Sequence, residues 1–239
     1  MQKIMTWENL DNFVYTNHAV LEGDIQGILL EFIGLGGANT HFAAQITDGI
    51  MWGQKGVLYV KPYNNPWNWM NRQAIDYTDE ILDVLFDHFN LPESTPIISA
   101  GGSMGGQSAL MYTKYAKRTP KACFAMVPVC DMVYHFTERK DLPRTLYSAF
   151  YNEEGTMEDA LRRYSPLHLA SEMPDVPYYI FHGTMDKKVN IDAHSEKLVA
   201  ALQPSHSVTY VKYRGYDHSQ VPHDIWVKWN SFIEAELGL

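Results

Sequence analysis

Ile97-Ile98-Ser99-Ala100-Gly101-Gly102-Ser103-Met104-Gly105-Gly106-Gln107-Ser108-Ala109-Leu110 is the stretch whose reading decides the fold. It reads as a short apolar strand, an abrupt glycine-rich turn and then a helix. Ser103 stands at the apex, inside G-x-S-x-G. A turn of this kind pushes a hydroxyl away from the backbone. The helix behind it aims free N–H groups and a positive end at whatever the hydroxyl attacks. Gly101 and Gly105 flank the apex, where a side chain would crowd the turn. Glycine-rich turns also precede helices that carry no nucleophile. The pattern gains catalytic meaning only with a strand before it, a helix after it, and an acid and a histidine later in that order.

Outward from the turn, the chain alternates strand and helix. On the amino-terminal side, Gly27-Ile28-Leu29-Leu30-Glu31-Phe32-Ile33 and Gly56-Val57-Leu58-Tyr59-Val60 are near-continuous apolar runs, as expected of strands covered on both faces. The first opens into a glycine loop, residues 34–40. The second opens into a loop rich in proline, asparagine and aromatics, residues 61–70. Ala74, Ile75, Tyr77, Thr78, Ile81, Leu82, Leu85, Phe86 and Phe89 recur at helical spacing, and Leu91-Pro92 stops that helix. On the carboxyl-terminal side, strands are predicted over 122–128, 177–181 and 208–213, with helices over 104–117, 193–202 and 222–237. A short strand at Phe13-Val14-Tyr15 is an option in an otherwise mixed first 26 residues.

This alternation predicts an α/β fold: a mostly parallel sheet of about six main strands flanked by helices. Residues 131–173 break the rhythm. They carry Tyr134, His135, Phe136, Tyr147, Phe150 and Tyr151 among many charges, and read as a helical cap insert within a single domain spanning 1–239. In parallel sheets of this kind ligands bind beyond the carboxyl ends of the strands, where the glycine loops and polar clusters gather.

Composition narrows the function. The 239 residues carry 28 Asp+Glu against 19 Lys+Arg, a formal net charge of -9. That acidity argues against nucleic acid or an anionic membrane as partner, since both call for a basic surface. No apolar run approaches the ~20 residues of a membrane helix. The start of the chain lacks the basic and apolar regions of a signal peptide, and the expectation is a cytoplasmic protein. Cys123 and Cys130 lie seven apart, on opposite faces of a strand and its exit, so both are expected as free core residues rather than a bridge. No C-x-x-C metal spacing occurs.

The remaining chemistry sits after strands. One strand leads into His182-Gly183-Thr184-Met185-Asp186-Lys187-Lys188-Val189, and the last leads into Arg214-Gly215-Tyr216-Asp217-His218-Ser219. A nucleophile, a carboxylate and a histidine thus appear in the order Ser103, Asp186, His218. Serine hydrolysis needs these types: the histidine takes the serine proton, the carboxylate fixes the imidazole tautomer, and backbone N–H groups hold the developing oxyanion. Asp131, after Val129-Cys130, is a rival acid. His223 is a rival base inside the last helix. His182 reads as a buried structural histidine, because in this chain order the base follows the acid.

Together these motifs resemble an α/β-hydrolase. More narrowly, the chain is similar to the esterase-like, propeller-less members of the prolyl oligopeptidase family. The resemblance runs from about Gly27 to the carboxyl terminus. It rests on the glycine loop, Gly101-Gly102-Ser103-Met104-Gly105-Gly106, Ser165-Pro166-Leu167-His168, His182-Gly183-x-x-Asp186-x-x-Val189 and His218-Ser219. It implies a nucleophile elbow at Ser103, the acid at Asp186 and the base at His218. The oxyanion donors it implies are the N–H of Met104 and one from the glycine loop, Leu35 or else Gly36. Where relatives often carry His-Gly at the strand end, this chain has Ile33-Gly34, but a backbone donor needs no particular side chain.

Trp67, Trp69, Tyr134 and His135 are candidates for a substrate wall or cap, with ordinary aromatic packing as the other reading of each. The function expected is a serine hydrolase, a carboxylesterase acting on a small-molecule ester through an acyl-enzyme. A peptidase of the same family is the alternative, and a non-catalytic binding protein on the same fold is the alternative of another class. No cofactor and no metal are implied, because side chains, backbone dipoles and water suffice.

Overall fold

In a computed structural model, which describes residues 4–37 and 46–239, the strand runs of the sequence assemble side by side. They are β1 (Val14–Thr16), β2 (Gly27–Phe32), β3 (Val57–Pro62), β4 (Ile97–Gly102), β5 (Ala122–Met126), β6 (Tyr178–Gly183) and β7 (Val208–Tyr213). The sheet order is β1-β3-β2-β4-β5-β6-β7. The six main strands expected are β2 to β7, and all of their pairings are parallel. The seventh, β1, is three residues long and adds antiparallel to β3 at the edge. The end of the glycine loop, Ala38-Asn39-Thr40, and residues 1–3 lie outside the described residues.

The apolar runs are continuous because both faces of the sheet are covered. In β2, Ile28, Leu30 and Phe32 enter one core, whereas Leu29 enters the other, as the two-residue period of a strand requires. On the first face pack α2 (Arg72–Phe89), α3 (Met104–Tyr115) and α7 (Ser195–Leu202). On the second pack α1 (Thr47–Gly53), through Trp52, and α8 (His223–Leu237), through Ile225, Trp229, Ile233 and Leu237. Each fully buried Leu, Ile or Phe in these layers stabilises the fold by roughly 1.5–3 kcal/mol.

Local signals set the helix ends. Asn71 caps α2 by accepting from the Ala74 N–H at 3.0 Å. Asn90, at φ 49°, turns the chain out of α2 in the left-handed conformation, two residues before Pro92. Ten of the twelve residues of α3 are buried, which is why that segment shows no polar stripe: it runs through the middle of its layer. No helix among the described residues is long and apolar enough to cross a membrane.

The excursion at 131–173 carries α4 (Met132–Glu138), α5 (Leu142–Phe150) and α6 (Met157–Arg163) on the first face. Its two ends are stapled together. The Ser165 hydroxyl donates to the Cys130 carbonyl at 2.9 Å and accepts from the Met132 N–H at 3.1 Å, while the Leu167 N–H also donates to the Cys130 carbonyl. The Ser165-Pro166-Leu167-His168 stretch is thus the lock on this loop. Cys123 and Cys130 are buried and free.

Register levels the carboxyl ends of the strands. Phe32 pairs with Gly101, Gly102 with Met126, and Met126 with Phe181. The loops that follow β2, β4, β5, β6 and β7 therefore emerge along one edge.

Candidate active site

At the end of β4 the backbone makes an uncommon turn. Ser103 has φ 61° and ψ −121°, a region that side chains avoid and that costs about 1–3 kcal/mol. The surroundings hold it there. Its N–H donates to the Met126 carbonyl at 2.9 Å, and its own carbonyl accepts from Gln107 at 3.1 Å. A Cβ on Gly105 would stand 2.2 Å from the Phe32 carbonyl oxygen, and one on Gly101 would stand 2.4 Å from that of Gly105. Both positions thus need glycine for close approach of backbone to backbone.

The turn delivers the serine hydroxyl to His218, which follows β7. Ser103 Oγ lies 2.9 Å from His218 Nε2. His218 Nδ1 lies 2.6 Å from Asp186 Oδ2, on the loop after β6. Three side chains from three strand ends, separated by up to 115 positions in sequence, thus form one hydrogen-bonded line. With Nδ1–H donated to the carboxylate, Nε2 is left to accept from the serine, which is the tautomer a base requires.

Asp186 is closely held. Its Oδ1 accepts from the Lys188 and Val189 N–H groups at 2.8 and 2.9 Å. Its Oδ2 accepts from His218 and also stands 3.2 Å from His182 Nε2. Burial by itself raises the pKa of this carboxyl, but hydrogen bonds from His182, His218 and Val189 outweigh it and hold the group well below the usual carboxylate range. His182 is fully buried, with Nδ1 2.6 Å from Ser195 Oγ and Nε2 also near the Val189 carbonyl. It is satisfied and structural, as its place before the acid suggested.

The rival acid and base, and the carboxylate beside His218, stand outside the line. Asp131 caps α4 by accepting from the Tyr134 N–H at 3.0 Å. Asp217 accepts from the N–H groups of His218 and Lys187. His223 is the exposed first residue of α8.

Next to Ser103 stand the backbone donors. Met104 is the first residue of α3, so its N–H has no acceptor within the helix. The glycine loop passes close by: a Cβ on Gly34 would lie 4.0 Å from Ser103 Cβ. Within that loop the Gly36 N–H donates to the Pro66 carbonyl at 3.2 Å and the Gly37 N–H to Gly34 at 3.0 Å. Among the described residues the Leu35 N–H has no such acceptor.

The four aromatic candidates divide into buried and exposed residues. Trp69 is fully buried, its Nε1–H donating to Thr145 Oγ1 at 3.1 Å and its ring edge-on to His135. His135 is 1% exposed and bonded to Glu138 at 2.6 Å. Both are core residues and offer no surface to a substrate; their long-range partners, absent from local sequence, decide this. Trp67 lies under the Arg144 guanidinium and lines a cleft of about 260 Å³ with Tyr63, Asn65 and Tyr77, one not lined by Ser103. Tyr134 is exposed, with its ring edge-on to His194. A larger cleft of about 1110 Å³, between α2 and the 148–164 segment, is likewise not lined by Ser103.

Sequence reasoning missed Glu138 and His194. With His135 they bring three possible metal ligands within 4.8 Å of one another, the one such group among the described residues. The H-x-x-E spacing of His135 and Glu138 on one helix turn was the available signal; His194 comes from the distant start of α7.

A model of the prolyl oligopeptidase family matches residues 69–229, more than half of the chain, including Ser103, Asp186 and His218. Among solved structures, the fold is similar to that of the Pyrococcus horikoshii acylaminoacyl peptidase, at TM-score 0.68 and 15% identity, over 90% of this chain and 38% of that one. It is similar to a puromycin-hydrolyzing peptidase of Mycobacterium tuberculosis, at TM-score 0.67 and 18% identity, over 90% and 34%. It is also similar to Thermogutta terrifontis esterase 2, at TM-score 0.66 and 14% identity, over 94% and 88%. The chain spans little more than a third of the length of those two peptidases. At these identities the likeness is one of fold. A search of curated protein sequences finds no match.

Proposed function

We propose that this chain, which belongs to the prolyl oligopeptidase family, is a serine hydrolase that cleaves small carboxylic esters through an acyl-enzyme. In this reading Ser103 is the nucleophile, His218 the base and Asp186 the carboxylate that orients it. Ser103 Oγ attacks the ester carbonyl carbon as its proton passes to His218 Nε2. The carbonyl electron pair moves onto oxygen, which accepts from the N–H groups of Met104 and Leu35. The intermediate collapses, the alcohol leaves with the proton carried by His218, and the acyl group stays on Ser103. Water, activated by the same imidazole, then releases the acid and restores the serine.

The observation that carries the reading is the line Ser103 Oγ–His218 Nε2–Asp186 Oδ2, at 2.9 and 2.6 Å. The engagement of the Gly36 N–H by Pro66 supports Leu35 as the second donor. An ester asks less of such a site than an amide does, because an alcohol departs with less help from the acid. The exposed Tyr134 is the aromatic of the four proposed to meet the substrate.

Ser103→Ala tests the reading. It is expected to stay folded and to lose p-nitrophenyl acetate turnover by about a thousandfold or more. A fluorophosphonate probe is expected to label the unaltered protein at Ser103. Unchanged turnover in the variant would sink the assignment, and failure of labelling would favour a binding protein on this fold. Aminoacyl-nitroanilide turnover exceeding ester turnover would make the peptidase reading the better one.

A further inference from the structure

The group formed by His135, Glu138 and His194 invites a metal ion, but its hydrogen bonds speak against one. His194 Nδ1 accepts from the N–H groups of Cys130 and Asp131, at 3.0 and 3.1 Å. That ring nitrogen therefore carries no proton, and the neutral ring must carry it on Nε2, which faces Glu138 Oε2 at 3.1 Å. A metal-bound imidazole has the reverse arrangement, with the metal on one nitrogen and an N–H on the other donating to an acceptor. Here the second nitrogen meets two donors. Metal at Nε2 would demand an imidazolate or the loss of both backbone hydrogen bonds.

The same atoms fit another task. Glu138 Oε2 takes two imidazole donors, His135 Nδ1–H at 2.6 Å and His194 Nε2–H at 3.1 Å. This fixes the carboxylate and leaves Oε1 pointing at the loop after β6, where it accepts from the Asn190 N–H at 2.8 Å. Asn190 directly follows the two residues whose N–H groups donate to Asp186. The segment 186–190 is thus gripped at both ends by carboxylates, Asp186 on one side and Glu138, from α4, on the other. Glu138 comes from a helix 52 positions away, and its side chain is 10% exposed.

We infer that Glu138 is a positioning residue for Asp186: held by His135 and His194, it sets the 188–190 backbone that orients the acid, and through it His218. The inference rests on the reading of Asp186 given above. Glu138 touches none of Ser103, His218 and Asp186, so its effect runs through the loop. A carboxylate is needed because it accepts at both oxygens. A glutamine there can accept from Asn190 or from the imidazoles, while its amide N–H groups would face donors on the other side.

The test is a double-mutant cycle on p-nitrophenyl acetate hydrolysis. Glu138→Gln is expected to lower kcat about tenfold with KM within about twofold, as for a displaced catalytic group. In an Asp186→Asn background the same substitution is expected to change kcat by less than about twofold, because a residue acting only through Asp186 has nothing left to act on. An equal tenfold loss in both backgrounds, or no loss in either, overturns the proposal. Full activity in Asp186→Asn alone overturns the role of Asp186 itself, and this inference with it. Stoichiometric zinc binding that disappears in Glu138→Gln overturns it in favour of a metal site. If Glu138→Gln does not fold, a second pair carries the test. His135→Asn keeps an N–H in place of Nδ1 and is expected to keep kcat within about twofold, whereas His135→Leu lowers it severalfold. Equal kcat in that pair also overturns the proposal.

Discussion

Two carboxylates in this molecule are built almost alike. Asp186 Oδ2 is shared by two imidazoles at 2.6 and 3.2 Å, and Glu138 Oε2 by two at 2.6 and 3.1 Å. Each uses its other oxygen to accept backbone N–H groups from the same loop. They differ at the far nitrogen of a bound ring. His218 presents Nε2 to the serine hydroxyl. His194 presents Nδ1 to two backbone N–H groups that cannot be exchanged for a substrate. A carboxylate–imidazole pair is common protein architecture. What stands at the outer nitrogen decides whether it can move a proton or only hold a fold.

The widest gap between the two should open when each outer imidazole is removed. His218→Ala is expected to lower kcat about ten-thousandfold while the protein stays folded. His194→Ala should do the opposite. It leaves the Cys130 and Asp131 N–H groups and one Glu138 contact unanswered inside the protein, at a cost of about 2 kcal/mol or more, with kcat reduced less than about tenfold. Ester kinetics and urea unfolding on both variants measure the contrast. Equal catalytic losses would erase the distinction drawn here.

Acid offers a second, smaller way to separate the pairs. Burial raises the pKa of Glu138, but hydrogen bonds from His135, His194 and Asn190 outweigh it, so Glu138 joins Asp186 below the usual carboxylate range. Depressed carboxyls lend stability that is present above their unfolded values, about pH 4, and lost as pH falls further. His135 differs, since burial lowers its pKa and favours the neutral ring. The Glu138–His135 contact is therefore a neutral N–H donating to a carboxylate. Below about pH 6.5 the unfolded chain takes up a proton that buried His135 refuses, so stability starts to fall there. The urea midpoint is expected to decline between pH 7 and 5, ahead of the carboxylate-linked loss. In His135→Asn that early decline should be smaller. A midpoint unmoved by the substitution at both pH values would contradict this.

The smallest effect concerns the second ring on Asp186. His182 Nε2 sits between Asp186 and the Val189 carbonyl, so its Nδ1 must accept the Ser195 hydroxyl proton. Ser195→Ala removes that anchor, and kcat is expected to fall about two- to threefold as the ring loosens. No change would mark His182 as space-filling alone.

The hydrogen-bonded line of Ser103, His218 and Asp186 was legible in sequence because each member sits just past an apolar strand, and strands announce themselves over four to six residues. The same holds for β2 to β7 and for the long helices α2, α3 and α8. Short α1 was not legible. Its preceding residue, Ile46, offers no side-chain cap, and it carries Gly49 and Gly53, which read as loop residues. The reason for those glycines lies elsewhere in the fold: side chains there would strike the Tyr15 hydroxyl and the Val20 carbonyl. Sequence alone leaves two readings of Trp69 and His135 for a related reason. An aromatic in a loop or insert looks the same in sequence whether it faces a substrate or Thr145, 76 positions away.

The spacing of the line also bears on the birth of the protein. A chain leaves the ribosome amino end first, at about 5–20 residues per second. Ser103 emerges long before His218, from which 115 positions separate it. Until β7 is laid beside β6, the serine is an ordinary alcohol with no imidazole to accept its proton. On the proposed mechanism, a chain that stops short of His218 has no base for Ser103. Turnover first becomes possible, on that mechanism, when β7 lies beside β6 and carries His218 to the serine.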